Sequence, residues 1–406
     1  MKILRVIASM NPSSGGPCQG IRNSIPALNK LGIQTEVVSL DDSDADFLGD
    51  DPFVIHAVGS GKNLWSYSKK LIPWLAQNMT RFDVIVVHGL WQYHSYAVRK
   101  TIRRLFHHSA KQRGSKFPKV FIMPHGMLDP YFQKAPGRKL KAIRNWLYWK
   151  LIEGKVVNEA NGLLFTCEGE LTLARQPFRP YSPNKEFNVG YGISSPPPFT
   201  ITMNEKFREK CPNLMGQPYF LFLSRIHEKK GIEILLQAYA KLRVRESVIG
   251  NEAEVLPHLI VAGPGMETTY GKKIQQLVTE DSILRENVYF SGMLSGDAKW
   301  GAFYGCEAFI LPSHQENFGI AVVEALACSK PVLISNQVNI WREIKTEGSG
   351  LVADDNLKGT QALLEGWLQL TNEEKTTMRR NAKMTYKKNF AIEPAAQRLL
   401  NAISTE

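Results

Sequence analysis

The chain has 406 residues, of which 43% are hydrophobic and 22% charged, with 31 glycines, 22 prolines and a net charge of +12. That length is too great for one ordinary core, since single cores stop growing near roughly 250 to 300 residues, and it suits two. The composition is globular and excludes extensive disorder; no apolar run approaches the ~18 residues that a spanning helix needs, and the five scattered cysteines, without CxxC pairing, argue against a disulfide scaffold or a zinc site.

The first residues, Met1 to Ser9, form a short apolar run interrupted by Lys2 and Arg5 and followed by Pro12 and Gly15. They read as a buried strand and not as a signal peptide, and a cytoplasmic protein is expected. Further apolar, β-branched runs at Glu36–Leu40, Val84–His88, Val120–Pro124 and Leu163–Thr166 alternate with longer helical patterns. Near-continuous hydrophobicity of this kind suits strands of a parallel sheet buried on both faces. The stiff stretch Ser194-Ser195-Pro196-Pro197-Pro198 then interrupts the pattern. A second series follows at Tyr219–Ser224, His258–Gly263, Val288–Gly292, Phe309–Ser313 and Val332–Ser335. The expectation is an α/β protein of two doubly wound, Rossmann-like domains, residues 1–195 and 196–385, with ligands where strand C-termini meet a cleft. Residues 386–406 have helical spacing, with Pro394 starting or kinking the helix, and can pack back on the N-terminal domain.

Charge divides the halves. Residues 1–195 hold 26 Lys and Arg against 14 Asp and Glu, whereas residues 196–406 hold 24 of each. Within the basic half, residues 99–119 contain eight cations and no acid, and residues 134–155 contain seven cations and one acid, interleaved with Trp146, Leu147, Tyr148 and Trp149. Basic, aromatic stretches attract anionic surfaces. An anionic membrane is the expected partner, with Arg103, Arg104, Lys139, Lys141 and Trp146 docking on it.

The densest chemical signal is Ser313-His314-Gln315-Glu316-Asn317-Phe318-Gly319-Ile320 and the helical run that continues to Cys328. A helix opening at Gly319 presents unpaired N–H groups and the positive end of its dipole, which favour a phosphate. Glu324, one turn in, can reach a ribose hydroxyl, and Glu316, before the turn, can accept hydrogen bonds from a sugar. A second signal, Ser224-Arg225-Ile226-His227-Glu228-Lys229-Lys230-Gly231, follows the first strand of the second series. Arg225 and Lys230 can neutralise the charge that develops on a leaving diphosphate, Arg as a fork and Lys as a point charge, and no metal is then required.

The strand-SRxxxxKG segment, the GPG and SGxL motifs, Glu316 and Glu324 spaced as Glu-x7-Glu, and Lys330-Pro331-Val332 together resemble glycosyltransferase family 4, and the resemblance covers nearly the whole chain. It implies the GT-B fold, a nucleotide-sugar donor, retention of anomeric configuration by front-face displacement, and no metal or other cofactor. It also implies Arg225 and Lys230 on the diphosphate, Glu324 on the ribose, Glu316 on the donor sugar, the backbone near Met293 and Leu294 on the base, and Asn317, Phe318, Gly319 and Ile320 around the donor.

In the N-terminal half, the paired glycines Gly15 and Gly16 permit close backbone approach to an anion, and by similarity their loop closes over the donor phosphates. His125, after a strand, is expected at the sugar near the reacting centre, and His88 with Trp91 at the acceptor. The chain departs from the family at Val189-Gly190-Tyr191-Gly192-Ile193, where Asn-Gly is common, and at Thr166-Cys167-Glu168-Gly169-Glu170, where Glu170 stands for the usual acid.

The function these features imply is transfer of a hexosyl unit, with UDP-glucose as the preferred donor, to a saccharide or polyprenyl-linked acceptor. The nearest resemblance is to bacterial, particularly cyanobacterial, enzymes of envelope or extracellular polysaccharide assembly. Four rivals are weaker; one, a retaining phosphorylase, shares the fold but needs a cofactor-bearing lysine for which no residue is identified. Asp44-Ala45-Asp46 matches a metal-binding DxD but lies in an acidic, serine-containing loop, and Gly15, Gly16 and Gly20 lack the GxGxxG spacing of a dinucleotide site. The basic half alone can bind nucleic acid, but no nucleic-acid motif accompanies it. Such binding weakens steeply with salt and survives Glu316→Ala.

Overall fold

The computed structural model describes residues 1–59, 65–109, 117–135, 137–249 and 256–405. The chain forms two compact units: residues 1–192 with 392–406, and residues 193–391. The first crossing therefore falls at Gly192–Ile193, ahead of the Pro-rich stretch, and the segment that returns to the first unit begins at Ile392 and not at residue 386.

The first unit is built on seven parallel strands: β1 (Lys2–Ile7), β2 (Gln34–Ser39), β3 (Ile55–Ala57), β4 (Val84–His88), β5 (Lys119–Met123), β6 (Gly162–Phe165) and β7 (Glu186–Asn188). Their order across the sheet is β3-β2-β1-β4-β5-β6-β7, so the order reverses between β1 and β4. Alternate residues feed two cores. Leu4, Val6, Ile85, Val87, Ile122 and Leu163 join one; Ile3, Val84, Val86, Phe121 and Leu164 join the other. The helix Ile392–Ser404 closes this second face with Ala396, Leu399, Ala402 and Ile403. Pro394 sits in its first turn, where a missing N–H costs no helical hydrogen bond.

The second unit has six parallel strands: β8 (Tyr219–Leu223), β9 (His258–Ala262), β10 (Val288–Gly292), β11 (Ala308–Leu311), β12 (Val332–Ser335) and β13 (Gly350–Ala353). They are ordered β10-β9-β8-β11-β12-β13, with the reversal between β8 and β11. Strands β8, β11 and β12 are almost wholly buried, as the apolar runs require. β3, β7 and β13 are the strands that the runs did not mark. Each is a three- or four-residue edge strand with one neighbour. β7, Glu-Phe-Asn, has a single apolar residue, Phe187. Among the described residues no helix is long and apolar enough to cross a membrane.

Candidate active site

In an open parallel sheet, ligands gather beyond the strand C-termini where strand order reverses. In the second unit that point lies between β8 and β11, and the two strongest sequence signals leave those two strands. After β8 the chain passes through exposed Arg225 into a 3-10 turn, Glu228–Lys230, which Gly231 ends at φ +70°. A Cβ at Gly231 would stand 2.0 Å from the Pro312 carbonyl oxygen, so only glycine lets this turn press against the end of β11. Lys229 O accepts hydrogen bonds from His314 N at 2.8 Å and Ser313 Oγ at 2.9 Å. These contacts bring Lys230 Nζ onto Glu316 Oε2 in an ion pair whose lysine is buried.

Glu316 is pinned on both sides of its peptide: its N–H donates to Gln337 O at 2.9 Å, and its carbonyl accepts from Asn339 N at 3.0 Å. Beyond it Asn339 Nδ2 donates to Asn317 Oδ1 at 3.5 Å, and the buried Phe318 ring meets Phe390 edge-on at 5.7 Å. Gly319, at φ +79°, turns the chain into the helix Ile320–Ala327, a backbone conformation that other residues resist. The first-turn N–H groups of that helix lack intrahelical acceptors and point back toward the loop. Glu324 projects from the same helix, and its Oε1 receives Lys299 Nζ at 2.6 Å. Burial raises the Glu324 carboxyl above its ordinary pKa, against the pull of Lys299. Met293 is exposed and Leu294 buried just after β10.

In the first unit the reversal lies between β1 and β4. Arg5 on β1 and His88 at the end of β4 meet there, Arg5 Nη1 to His88 Nε2 at 3.2 Å. His88 Nδ1 then meets His125 Nε2 at 2.9 Å. His125 follows β5 at φ +54°, with Gly126 at +78°. Glu170 holds this turn: its Oε1 accepts Gly126 N at 2.5 Å, and its Oε2 accepts Thr166 N at 2.8 Å and Thr166 Oγ1 at 2.5 Å. A buried carboxylate with three donors is fully satisfied and ties the end of β6 to the His125 turn. His88, expected at an acceptor, is buried, with both ring nitrogens facing protein groups. Trp91, at φ +69°, packs with Trp149 and Phe178 and reaches Met127 O through Nε1 at 3.4 Å. Gly15, at φ +91°, starts the helix Gly16–Lys30, and Gly16 O accepts the Tyr191 hydroxyl.

Burial and the neighbouring Arg5 push the His125 pKa down to about 3, and burial, Arg5 and His125 push His88 well below the usual imidazole range. Both rings are neutral at physiological pH.

Of the basic stretches, Arg103 and Arg104 lie exposed on the helix Tyr93–Ser109, and Lys139 and Lys141 on the helix Lys139–Tyr148. Residues 110–116 of the first stretch and residue 136 of the second lie outside the described residues. The second helix and the turn after it expose Leu140, Ile143, Trp146, Leu147 and Leu151, with Leu140 83% accessible. Arg5 and Lys299 are site residues that the motifs did not indicate. A single arginine inside an otherwise apolar strand was the available signal for Arg5. None marks Lys299, which lies 25 residues from its partner.

Over its full length the chain has the GT-B architecture of two Rossmann-like units. It superimposes on HepE from Anabaena, solved in complex with UDP and glucose, with a TM-score of 0.70 at 17% identity, covering 100% of this chain and 99% of that one. It is similarly close to a glycosyltransferase from Rickettsia africae, with a TM-score of 0.72 at 16% identity over 99% and 97% of the two chains. Residues 203–387 match the family described as "Glycosyl transferases group 1". An Escherichia coli protein, O-antigen chain mannosyltransferase C, is 27% identical over 198 residues, 47% of either chain. The chain thus spans about half the length of the curated relatives it matches.

Proposed function

We propose that the protein is a glycosyltransferase that moves a hexosyl unit, with glucose the preferred sugar, from a nucleoside diphosphate donor to a saccharide or lipid-linked saccharide acceptor in polysaccharide synthesis. The observation that carries this reading is the Lys230–Glu316 ion pair at the β8/β11 reversal, its lysine buried and its glutamate half-buried, four residues before the helix Ile320–Ala327 that carries Glu324. An ion pair with a buried partner is weak evidence for stability; at a strand-order reversal it is better explained by ligand chemistry.

In this reading the N–H groups after Gly319 and the cations Arg225 and Lys230 take the diphosphate, where negative charge grows as the sugar bond breaks. Preorganised donors and cations at that point lower the barrier, so a metal is not needed. Glu324 accepts a ribose hydroxyl, Glu316 accepts from the sugar once it exchanges Lys230 for ligand, and the backbone at Met293 and Leu294 meets the base. His125 contacts the sugar, and the Gly15-Gly16 loop covers the phosphates. Transfer proceeds with retention by front-face displacement, the leaving phosphate accepting the acceptor's proton. UDP-glucose is the preferred donor, in keeping with the UDP and glucose bound by HepE.

The exposed apolar side chains of residues 140–151, flanked by Lys139, Lys141, Arg144 and Lys150, suit an anionic bilayer, where lipid-linked acceptors reside; apolar insertion and attraction to anionic headgroups act together there. The protein then works on the cytoplasmic face of a membrane.

The deciding experiment is isothermal titration, with EDTA present, against UDP, GDP, ADP and TDP. Binding of one diphosphate that is lost in Glu324→Ala is expected and names the base. Binding of none overturns the reading and favours a non-catalytic role for the basic half.

A further inference from the structure

Arg5 is the one charged residue inside the buried part of β1. It is 2% exposed, and two of its guanidinium nitrogens, Nε and Nη2, are buried without a hydrogen-bond partner among the described residues. It lines a narrow cavity of about 40 Å³ shared with His88, His125, Tyr191 and, from the returning helix, Ile392 and Ala395. That volume admits no more than a water molecule or two. Burying a guanidinium so incompletely satisfied is costly, and among the described residues no carboxylate pairs with it.

What Arg5 does contribute is direction. A guanidinium carries donors and no acceptor, so the 3.2 Å contact to His88 requires a lone pair on His88 Nε2. The proton of that ring must then sit on Nδ1, which donates across 2.9 Å to His125 Nε2. His125 Nε2 is in turn an acceptor, and its ring proton is left on Nδ1. Among the described residues no protein acceptor takes that Nδ1–H. Tyr191 faces the ring edge-on at 6.2 Å. His94 stands outside the chain of protons, its Nε2 donating to the His88 carbonyl at 2.9 Å.

We propose that Arg5 is a positioning residue: acting through His88, it fixes His125 as the tautomer protonated on Nδ1, so that the ring offers a hydrogen-bond donor, and not an acceptor, to an oxygen of the bound sugar. The proton order rests on geometry within the first unit alone; its use for a sugar rests on the glycosyl-transfer reading. An Nδ1–H donor suits a hydroxyl or ring oxygen that must accept, and a cation two rings away keeps the imidazole from becoming a second positive charge beside the reacting centre.

The test is nitrogen–proton correlation spectroscopy of the full chain labelled with 15N-histidine, without and then with nucleotide sugar. In the native protein His125 is expected as Nδ1–H alone. Arg5→Met is expected to let the Nε2–H tautomer appear and to lower kcat/KM roughly tenfold, the worth of about one hydrogen bond, while Arg5→Lys, also a donor without an acceptor, restores the Nδ1–H form. If Arg5→Met fails to fold, His88→Gln and His88→Met serve instead: glutamine preserves an acceptor toward Arg5 and a donor toward His125 and keeps the tautomer, and methionine loses it. An Nε2–H ring in the native protein, or an unchanged tautomer in Arg5→Met or His88→Met, overturns the proposal. Tautomers that respond as expected while no nucleotide sugar moves the His125 signals uphold the relay and overturn the glycosyl-transfer reading instead.

Discussion

Lys299 Nζ stands 2.6 Å from Glu324 Oε1, joining the helix Gly296–Gly305 to the helix that opens at Gly319. Burial favours the protonated carboxyl and Lys299 favours the charged one, with burial the stronger. Removing the lysine therefore raises the Glu324 pKa further. A protonated carboxyl is a poorer acceptor for a ribose hydroxyl. Glu324→Ala is expected to weaken nucleoside diphosphate binding by roughly 10- to 100-fold, the range for a hydrogen bond to a charged group. Lys299→Met should move the loss of that binding on acidification to higher pH than in the native protein. Titration calorimetry across a pH series checks both, and a Lys299→Met variant with unaltered pH dependence contradicts the coupling.

Arg225 and Lys230 should behave alike in turnover and differently in stability. Loss of either is expected to lower kcat by about 10²- to 10³-fold, as does the loss of one oxyanion donor. Arg225 is exposed, and its removal should leave the melting temperature unchanged. Lys230 is buried against Glu316, and Lys230→Met strands a carboxylate, which is destabilising. Steady-state rates and thermal melts together separate the two effects.

Glu153, on the π-helical turn Trp149–Glu153, is fully buried, and burial pushes its carboxyl up to about 8. The unfolded chain releases that proton near the ordinary value of about 4.3. Between these two pH values the native state holds a proton that the unfolded state has lost, so stability falls as pH rises through the window, by up to about 1.4 kcal/mol per pH unit. Glu153→Gln removes this dependence. Its melting temperature should equal the native one near pH 4.5 and exceed it at pH 8, and a constant difference across that range would count against the assignment.

If residues 140–151 rest on a bilayer, the apolar and the basic side chains should both matter. Leu140→Glu with Leu147→Glu is expected to abolish flotation with anionic liposomes, and Lys139→Gln with Lys141→Gln to weaken it in a salt-dependent manner. Equal flotation with neutral and anionic vesicles would remove the electrostatic part.

Much of this site was legible along the chain because its motifs are local. The turn Glu228–Lys230, the loop from Ser313 to Gly319 and the helix bearing Glu324 each need neighbouring residues of particular types to set a backbone shape, and such requirements appear as short patterns. The apolar runs mark the ten inner or longer strands for the same reason. β3, β7 and β13 escaped because they are edge strands of only three or four residues, too short to show a run, whereas the edge strand β10 has five. The boundary near the Pro-rich stretch shifted by a few residues because Ile193 donates its N–H to Phe390 O at 2.9 Å, a pairing between positions almost 200 residues apart.

Periodicity and turn chemistry act over a few residues, so two α/β units, the succession of their buried strands along the chain and the polar residues that follow strand ends are written in the amino-acid order. The tertiary structure alone decided the pairing of side chains: Lys230 with Glu316, Lys299 with Glu324, and Arg5 with His88 and His125. The pairing of Lys230 with Glu316 and of Arg5 with His88 depends on strand order in a parallel sheet, which brings β8 beside β11 and β1 beside β4 although more than 70 residues of chain separate the strands of each pair.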